Sequence, residues 1–145
     1  MADAARQWQI LTTLQTRLQG ITVAGGYRTN VGADVRLEEA QFLAGDPDRV
    51  NLYAGNTVRP DDARSKGERA FNVIVEVYVS TSHDDAQARV VAAAEDIEDI
   101  LDAYLPQPAA LPLSFEECIY LDGPAGVEAL VAQITFATRY RRDRA

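Results

Sequence analysis

The sequence contains only one cysteine, one histidine and one lysine in 145 residues. Because Cys118 has no second cysteine to pair with, no disulfide can form within the chain, and nothing requires an oxidising compartment. A structural zinc site takes several cysteine or histidine ligands, so Cys118 and His83 cannot supply one. These scarcities exclude disulfide scaffolds and structural zinc modules.

Long apolar runs and an excess of positive charge are also missing. No stretch approaches about 18 uninterrupted apolar residues, and residues 1–14 lack the basic start and apolar run of an export signal. We therefore expect no membrane span and no secretion by that route. Fourteen basic residues against 22 acidic ones give a net charge of -8, which disfavours nucleic-acid binding driven by counterion release.

The remaining composition is that of a folded globular chain. Hydrophobic residues make up 47% of the sequence and charged residues 25%, which is close to the average for proteins with a buried core. The length matches one domain of roughly 100 to 150 residues. We expect residues 1–145 to form a single domain.

Apolar periodicity predicts two helices and several strands. In the first helix, Ile10, Leu14 and Leu18 recur at every fourth position and form one stripe. The predicted helices span residues 3–19 and 82–104, and the predicted strands span residues 49–54, 71–79, 114–121 and 127–140. The weaker patterns predict a short extended piece at 21–23 and a broken strand or ordered loop at 27–37.

This order of elements predicts an α+β fold, with two helices packed on one face of a mostly antiparallel β-sheet. Residues 57–69 have dense charge and no apolar period, which predicts a long exposed loop or the tip of a hairpin arm. Ser82 and Asp85 are spaced as in a capping box, so we expect them to start the second helix. The acidic run at 95–99 is predicted to form the solvated face of that helix.

The residues that could carry catalysis or bind a metal have unfavourable neighbours. His83 lies in the predicted capping turn, and Cys118 follows Glu116 and Glu117, whose negative charges raise a thiol pKa. Three aspartate pairs lack the alternating ligands of a calcium loop; they are Asp46 and Asp48, Asp61 and Asp62, and Asp84 and Asp85. We therefore expect no enzymatic activity, no cofactor and no metal site.

Arginine supplies all but one of the basic residues, and several arginines crowd the C-terminus. The planar guanidinium group favours ion pairs at interfaces, so these arginines could pair with the acidic second helix of a neighbouring identical subunit. An ordinary solvated tail is the alternative, and the sequence leaves both open. The candidate interface residues are Arg139, Arg141, Arg142, Glu98, Asp99 and Asp102.

Several segments together resemble a known family. They are the helix end LQTRLQGI, the segment GYRTNVGADV, the valine-rich strand, the acidic helix and the closing strand TFATRYRR. In this combination, which spans about residues 10–142, the chain resembles the tail terminators and minor tail-completion proteins of long-tailed bacteriophages.

The resemblance implies a small α+β domain that forms a hexameric ring in the virion, at the head-proximal end of the tail, after synthesis in the host cytoplasm. Such a ring binds the tail tube protein, ends tube polymerisation and offers a docking surface to a head-completion or connector protein. DNA would pass through the ring without sequence-specific binding. The net negative charge agrees with a pore that does not grip phosphate.

Within this interpretation, the charged segment 57–69 is expected to contact the tail tube. Its candidate contact residues are Arg59, Arg64, Lys66 and Arg69. Two other functions stay open at this point. One is a different protein of the head-tail junction, or neck, and the other is a small α+β domain that binds a ligand or regulates a partner.

Overall fold

A computed structural model describes residues 5–37, 46–63, 66–123 and 127–142 of the chain. Its two helices are α1 (Arg6–Leu18) and α2 (Ala86–Leu101). The strands are β1 (Val35–Arg36), β2 (Arg49–Val58), β3 (Glu68–Ser80), β4 (Ser114–Asp122) and β5 (Ala129–Arg141). A short 3-10 turn over Val31–Ala33 precedes β1.

The five strands form one sheet in the order β1-β2-β3-β5-β4. Only the two-residue strand β1 runs parallel to its neighbour, and every other pair is antiparallel. The long strands β3 and β5 pair continuously from Glu68 with Arg141 to Ser80 with Ala129. The predicted α+β fold with a mostly antiparallel sheet is confirmed.

The core lies between the two helices and one face of the sheet. Alternate residues of β3, from Phe71 to Val79, are fully buried on that face, as the alternating sequence pattern predicts. They pack in one cluster with Leu14 of α1 and Ile97 of α2. Each fully buried side chain of this kind contributes roughly 1.5 to 3 kcal/mol to folding, so this layer supplies much of the stability.

The second helix is shorter than predicted at both ends. It begins after Asp85, whose side chain makes no capping hydrogen bond, and the Ser82 hydroxyl instead lies 2.8 Å from the Ser80 hydroxyl. The predicted capping box is therefore wrong. At the other end, Ala103 takes a positive φ of 66°, which ends the helix before Tyr104.

The segment predicted as a short extended piece at 21–23 is not a strand. It belongs to a turn in which Ile21 is fully buried and its carbonyl accepts a hydrogen bond from the Gly32 amide at 3.0 Å. Local apolar content was misleading here, because burial of one side chain does not require strand pairing.

Strands β2 and β3 extend past the predicted strand ends as a hairpin arm, along which β5 also pairs with β3 as far as Glu68. The pair Gly55 and Asn56 does not end β2; it sits at an irregularity between Ala54 and Thr57, after which pairing with β3 resumes. The charged segment is therefore the tip of a long hairpin, one of the two structures that its sequence predicted.

Candidate interaction surfaces

The hairpin arm carries the residues predicted to contact another protein. Arg59 lies just past the end of β2 and is exposed, as is Lys66 in the turn before β3. Arg69 is held within the arm, because one of its guanidinium nitrogens donates to the carbonyls of Lys66 and Glu68 at 2.7 and 2.9 Å. Arg64 lies outside the described residues.

The C-terminal arginines divide into one paired residue and two exposed ones. Arg139 donates to Glu68 and to Asp62 at 2.9 Å each, so it ties β5 to the start of β3 and to the tip of the arm. These carboxylates raise the pKa of Arg139 and keep it charged. Arg141 and Arg142 are exposed, and no ion pair of their side chains occurs within the described part of the chain.

Acidic residues dominate the surface formed by α2 and β4. The sequence from residue 90 to residue 138 contains nine acidic residues and no basic one. Two of the candidate interface acids already have partners within the chain: Asp99 pairs with Arg28 at 2.8 Å, and the Asp102 carboxylate accepts the Phe115 amide at 3.1 Å. Glu98 is exposed on the same helix.

One member of the acidic run does not belong to the solvated face. Asp96 is completely buried, and its carboxylate accepts hydrogen bonds from the Arg28 and Thr29 amides, the Thr29 hydroxyl and the Arg28 guanidinium. The predicted solvation of Asp96 is wrong, because four donors replace its water shell. It fastens the segment GYRTN to α2.

The edge strand β4 exposes large apolar side chains. Ile119, Tyr120 and Leu121 are 40%, 51% and 44% exposed, and β4 pairs on one side only, with β5, in the described structure. Tyr120 and Leu121 join Val91 of α2 and Val131 of β5 in lining a shallow groove. The exposure of this patch could not be predicted from the sequence, because an edge strand and a buried strand can carry the same apolar residues.

A second, polar depression lies between the 23–34 segment, the start of β2 and the start of α2. Its charges pair with one another: Arg89 contacts Asp85 at 2.8 Å and Asp48 at 3.9 Å. The pKa of Asp85 is lowered by its hydrogen bond with Arg89, whereas burial raises the pKa of Asp48. One Asp48 oxygen is buried without a hydrogen-bond partner in the described structure.

The residues considered for catalysis or metal binding lie apart from one another. His83 lines the polar depression, whereas Cys118 lies in β4. Burial raises the pKa of the Cys118 thiol, with a smaller contribution from Glu98. No group of three or more histidine, cysteine, aspartate or glutamate side chains suited to a metal ion occurs among the described residues.

Neither of the described helices is both long and apolar enough to cross a membrane.

The chain is similar in fold to a chain of a solved virion structure. No family model matches the chain, and no curated protein matches its sequence. Among solved structures, a chain of the structure titled "Virion of native gene transfer agent (GTA) particle" superposes with a TM-score of 0.67. The match covers 97% of this chain and 100% of that chain at 14% sequence identity, so the two chains share a fold over nearly all of this chain.

Proposed function

We propose that this chain is a structural protein of a phage-like virion, which forms a ring on the head-proximal end of the tail tube. There it ends tube polymerisation and presents the surface on which the head docks. The observation that carries the proposal is the full-length match of its fold to a chain of a virion particle, despite 14% identity. The proposed role is architectural and requires neither a catalytic residue nor a cofactor.

Surface charge supports assembly into a closed ring. The α2 and β4 surface is acidic, whereas the exposed Arg141 and Arg142 lie at the end of β5. Two surfaces of opposite charge on one chain favour head-to-tail contacts between copies. Such contacts close into a ring when the rotation between neighbouring copies permits it. A hexamer is the multimer that the resemblance to tail terminators implies. The net charge of -8 favours passage of DNA without adhesion.

The β2–β3 arm is the proposed contact with the tail tube protein. The tip of the arm lies beyond the ends of β2 and β3, and the Arg139 pairs with Asp62 and Glu68 brace it. Because Arg69 is engaged within the arm, Arg59 and Lys66 are the described cations best placed to reach a partner. Exposed cations of this kind steer association and fix its register.

A binding assay with the tail tube protein of the same particle tests this role. We expect the charge-reversed variant R59E/K66E to lose co-sedimentation with assembled tubes. The charge-conserving variant R59K/K66R should retain it, since it keeps both cations. Equal binding by the two variants would remove the arm from the contact. If the chain does not bind tubes but binds the head connector, it is a neck protein located elsewhere in the head-tail junction.

A further inference from the structure

The groove between α2 and β4 is lined by Val91 and Tyr120, and two glutamates follow Val91 along α2 beside it. Val91, Glu95 and Glu98 follow one another on α2 at spacings of four and three residues, so they share the side of the helix next to β4. Burial and a hydrogen bond with Cys118 raise the pKa of Tyr120 to about 12, and the carboxylates of Glu95 and Glu98 add to that rise. Glu95 also pairs with Arg28, whose Nε lies 3.4 Å from the Glu95 carboxylate, whereas Glu98 has no ion pair among the described residues.

An aromatic ring flanked by carboxylates is a surface that fits an arginine. The guanidinium plane stacks on the ring face while its N–H groups pair with the acids. The same chain already uses half of this arrangement: the Arg17 guanidinium lies 4.4 Å from the centre of the Tyr104 ring, and its Nε donates to the Ile100 carbonyl at 3.0 Å. Tyr120 has no such cation above it in the described structure and remains 51% exposed.

The charge pattern favours a second copy of this chain as the source of that arginine. Arg141 and Arg142 are exposed, and their side chains have no ion-pair partner among the described residues. They cannot reach the groove of their own subunit. Tyr120 pairs across the sheet with Ala132, and Arg142 lies ten positions farther along, about 30 Å away at the rise of an extended strand.

We propose that Tyr120, Glu95 and Glu98 form the acceptor site for Arg141 or Arg142 of the neighbouring copy in the ring. This inference rests on the proposed ring and identifies the contact that closes it. Ion pairs on an open surface contribute little, but the apolar floor of Val91 and Tyr120 excludes water from the guanidinium and strengthens the contact. Glu116 and Glu117 on β4 oppose simple strand addition at this edge, because charged residues there discourage pairing with another strand.

A charge-swap experiment tests the acceptor site on the full chain. Sedimentation velocity and native mass spectrometry would compare the wild type with R141E/R142E, with E95R/E98R and with an equimolar mixture of the two. We expect the wild type to form a multimer, each variant alone to be mostly monomeric, and the mixture to form a multimer again in which native and reversed pairs alternate. Recovery in the mixture also shows that both variants are folded.

Tyr120 is tested separately with two substitutions. Y120A should weaken association about tenfold, whereas Y120F should retain it because the ring, and not the hydroxyl, receives the guanidinium. L111A is the matched control, since Leu111 is similarly exposed but does not line the groove. A wild-type multimer that neither the charge variants nor Y120A weaken would overturn the acceptor site and leave the ring intact. A wild type that stays monomeric at every concentration, with and without tubes, would overturn the ring itself.

Discussion

The buried carboxylate of Asp96 accepts a hydrogen bond from the backbone amide of Thr29 at 2.9 Å, which joins α2 to a turn 67 residues earlier in the chain. The adjacent Arg28 amide donates to both oxygens of the same carboxylate at 3.1 Å. Through this contact, the segment GYRTN becomes part of the rigid body of the domain.

Replacing Asp96 should be severely destabilising. D96A leaves the part-buried amides of Arg28 and Thr29 without an acceptor, and we expect the free energy of unfolding to fall by about 3 kcal/mol. Urea denaturation measures this loss. D99A is the matched control, because Asp99 pairs with the same Arg28 on the exposed surface and its loss should change stability far less. Similar losses for both variants would show that the part-buried amides do not depend on Asp96.

Gly32 is predicted to tolerate no side chain. A Cβ at this position would lie 2.7 to 2.8 Å from the carbonyl oxygens of Leu18, Gln19 and Ile21, which are backbone atoms and cannot move aside independently. We expect G32A to lower the free energy of unfolding by about 2 kcal/mol. G26A is the control that separates a steric clash from backbone strain. Gly26 has a φ of +96° but open space around it, so its substitution should lower the free energy of unfolding by about 1 kcal/mol through strain alone. A harmless G32A would contradict the packing of this turn.

Asp48 should give stability a pH dependence of known sign. Burial raises its pKa in the folded protein above the ordinary value of 3.8, so the folded state holds its proton more tightly than the unfolded state does. Stability therefore falls as the pH rises from the ordinary value through the raised one. D48N removes the charge, and we expect a higher melting temperature than the wild type at pH 7 and a shrinking difference toward pH 3. A lower melting temperature for D48N at pH 7 would indicate that the pairing with Arg89 outweighs burial.

Arg139 is predicted to order the arm more than it stabilises the core. R139A removes both contacts, with Asp62 and with Glu68, while the pairing of β3 with β5 remains. Amide hydrogen exchange should therefore accelerate in the arm, at residues 57–63 and 66–70, with little change in α2. Uniform acceleration across the domain would instead mean that the arm and the core unfold together.

Much of the fold could be predicted from local pattern. The alternating valines of β3 and the four-residue period of α1 both arise because one face of each element is buried. The periodicity therefore predicts these elements. The ends of α2 and β2 could not be predicted in the same way. Ala103 ends α2 with a positive φ although it is not a glycine, whereas the glycine at position 55 marks an irregularity that β2 continues through.

The interaction surfaces were less predictable, because they depend on contacts between distant parts of the chain. The sequence correctly separated basic and acidic regions, but it could not show that Arg139 and Asp99 are paired within the chain while Glu98 remains exposed. Asp96 looked like its acidic neighbours, since only the fold places the Thr29 amide beside it. The exposure of Tyr120 likewise follows from the position of β4 at the sheet edge.

The most direct test of the account is electron microscopy of tail tubes incubated with the gold-labelled chain. Tube length is measured in the same samples after more tube protein is added. If the chain caps the tube, label should appear at one end only, and that end should stop growing. Label scattered along the tubes or absent from them, together with unchanged growth at both ends, would contradict a terminating ring.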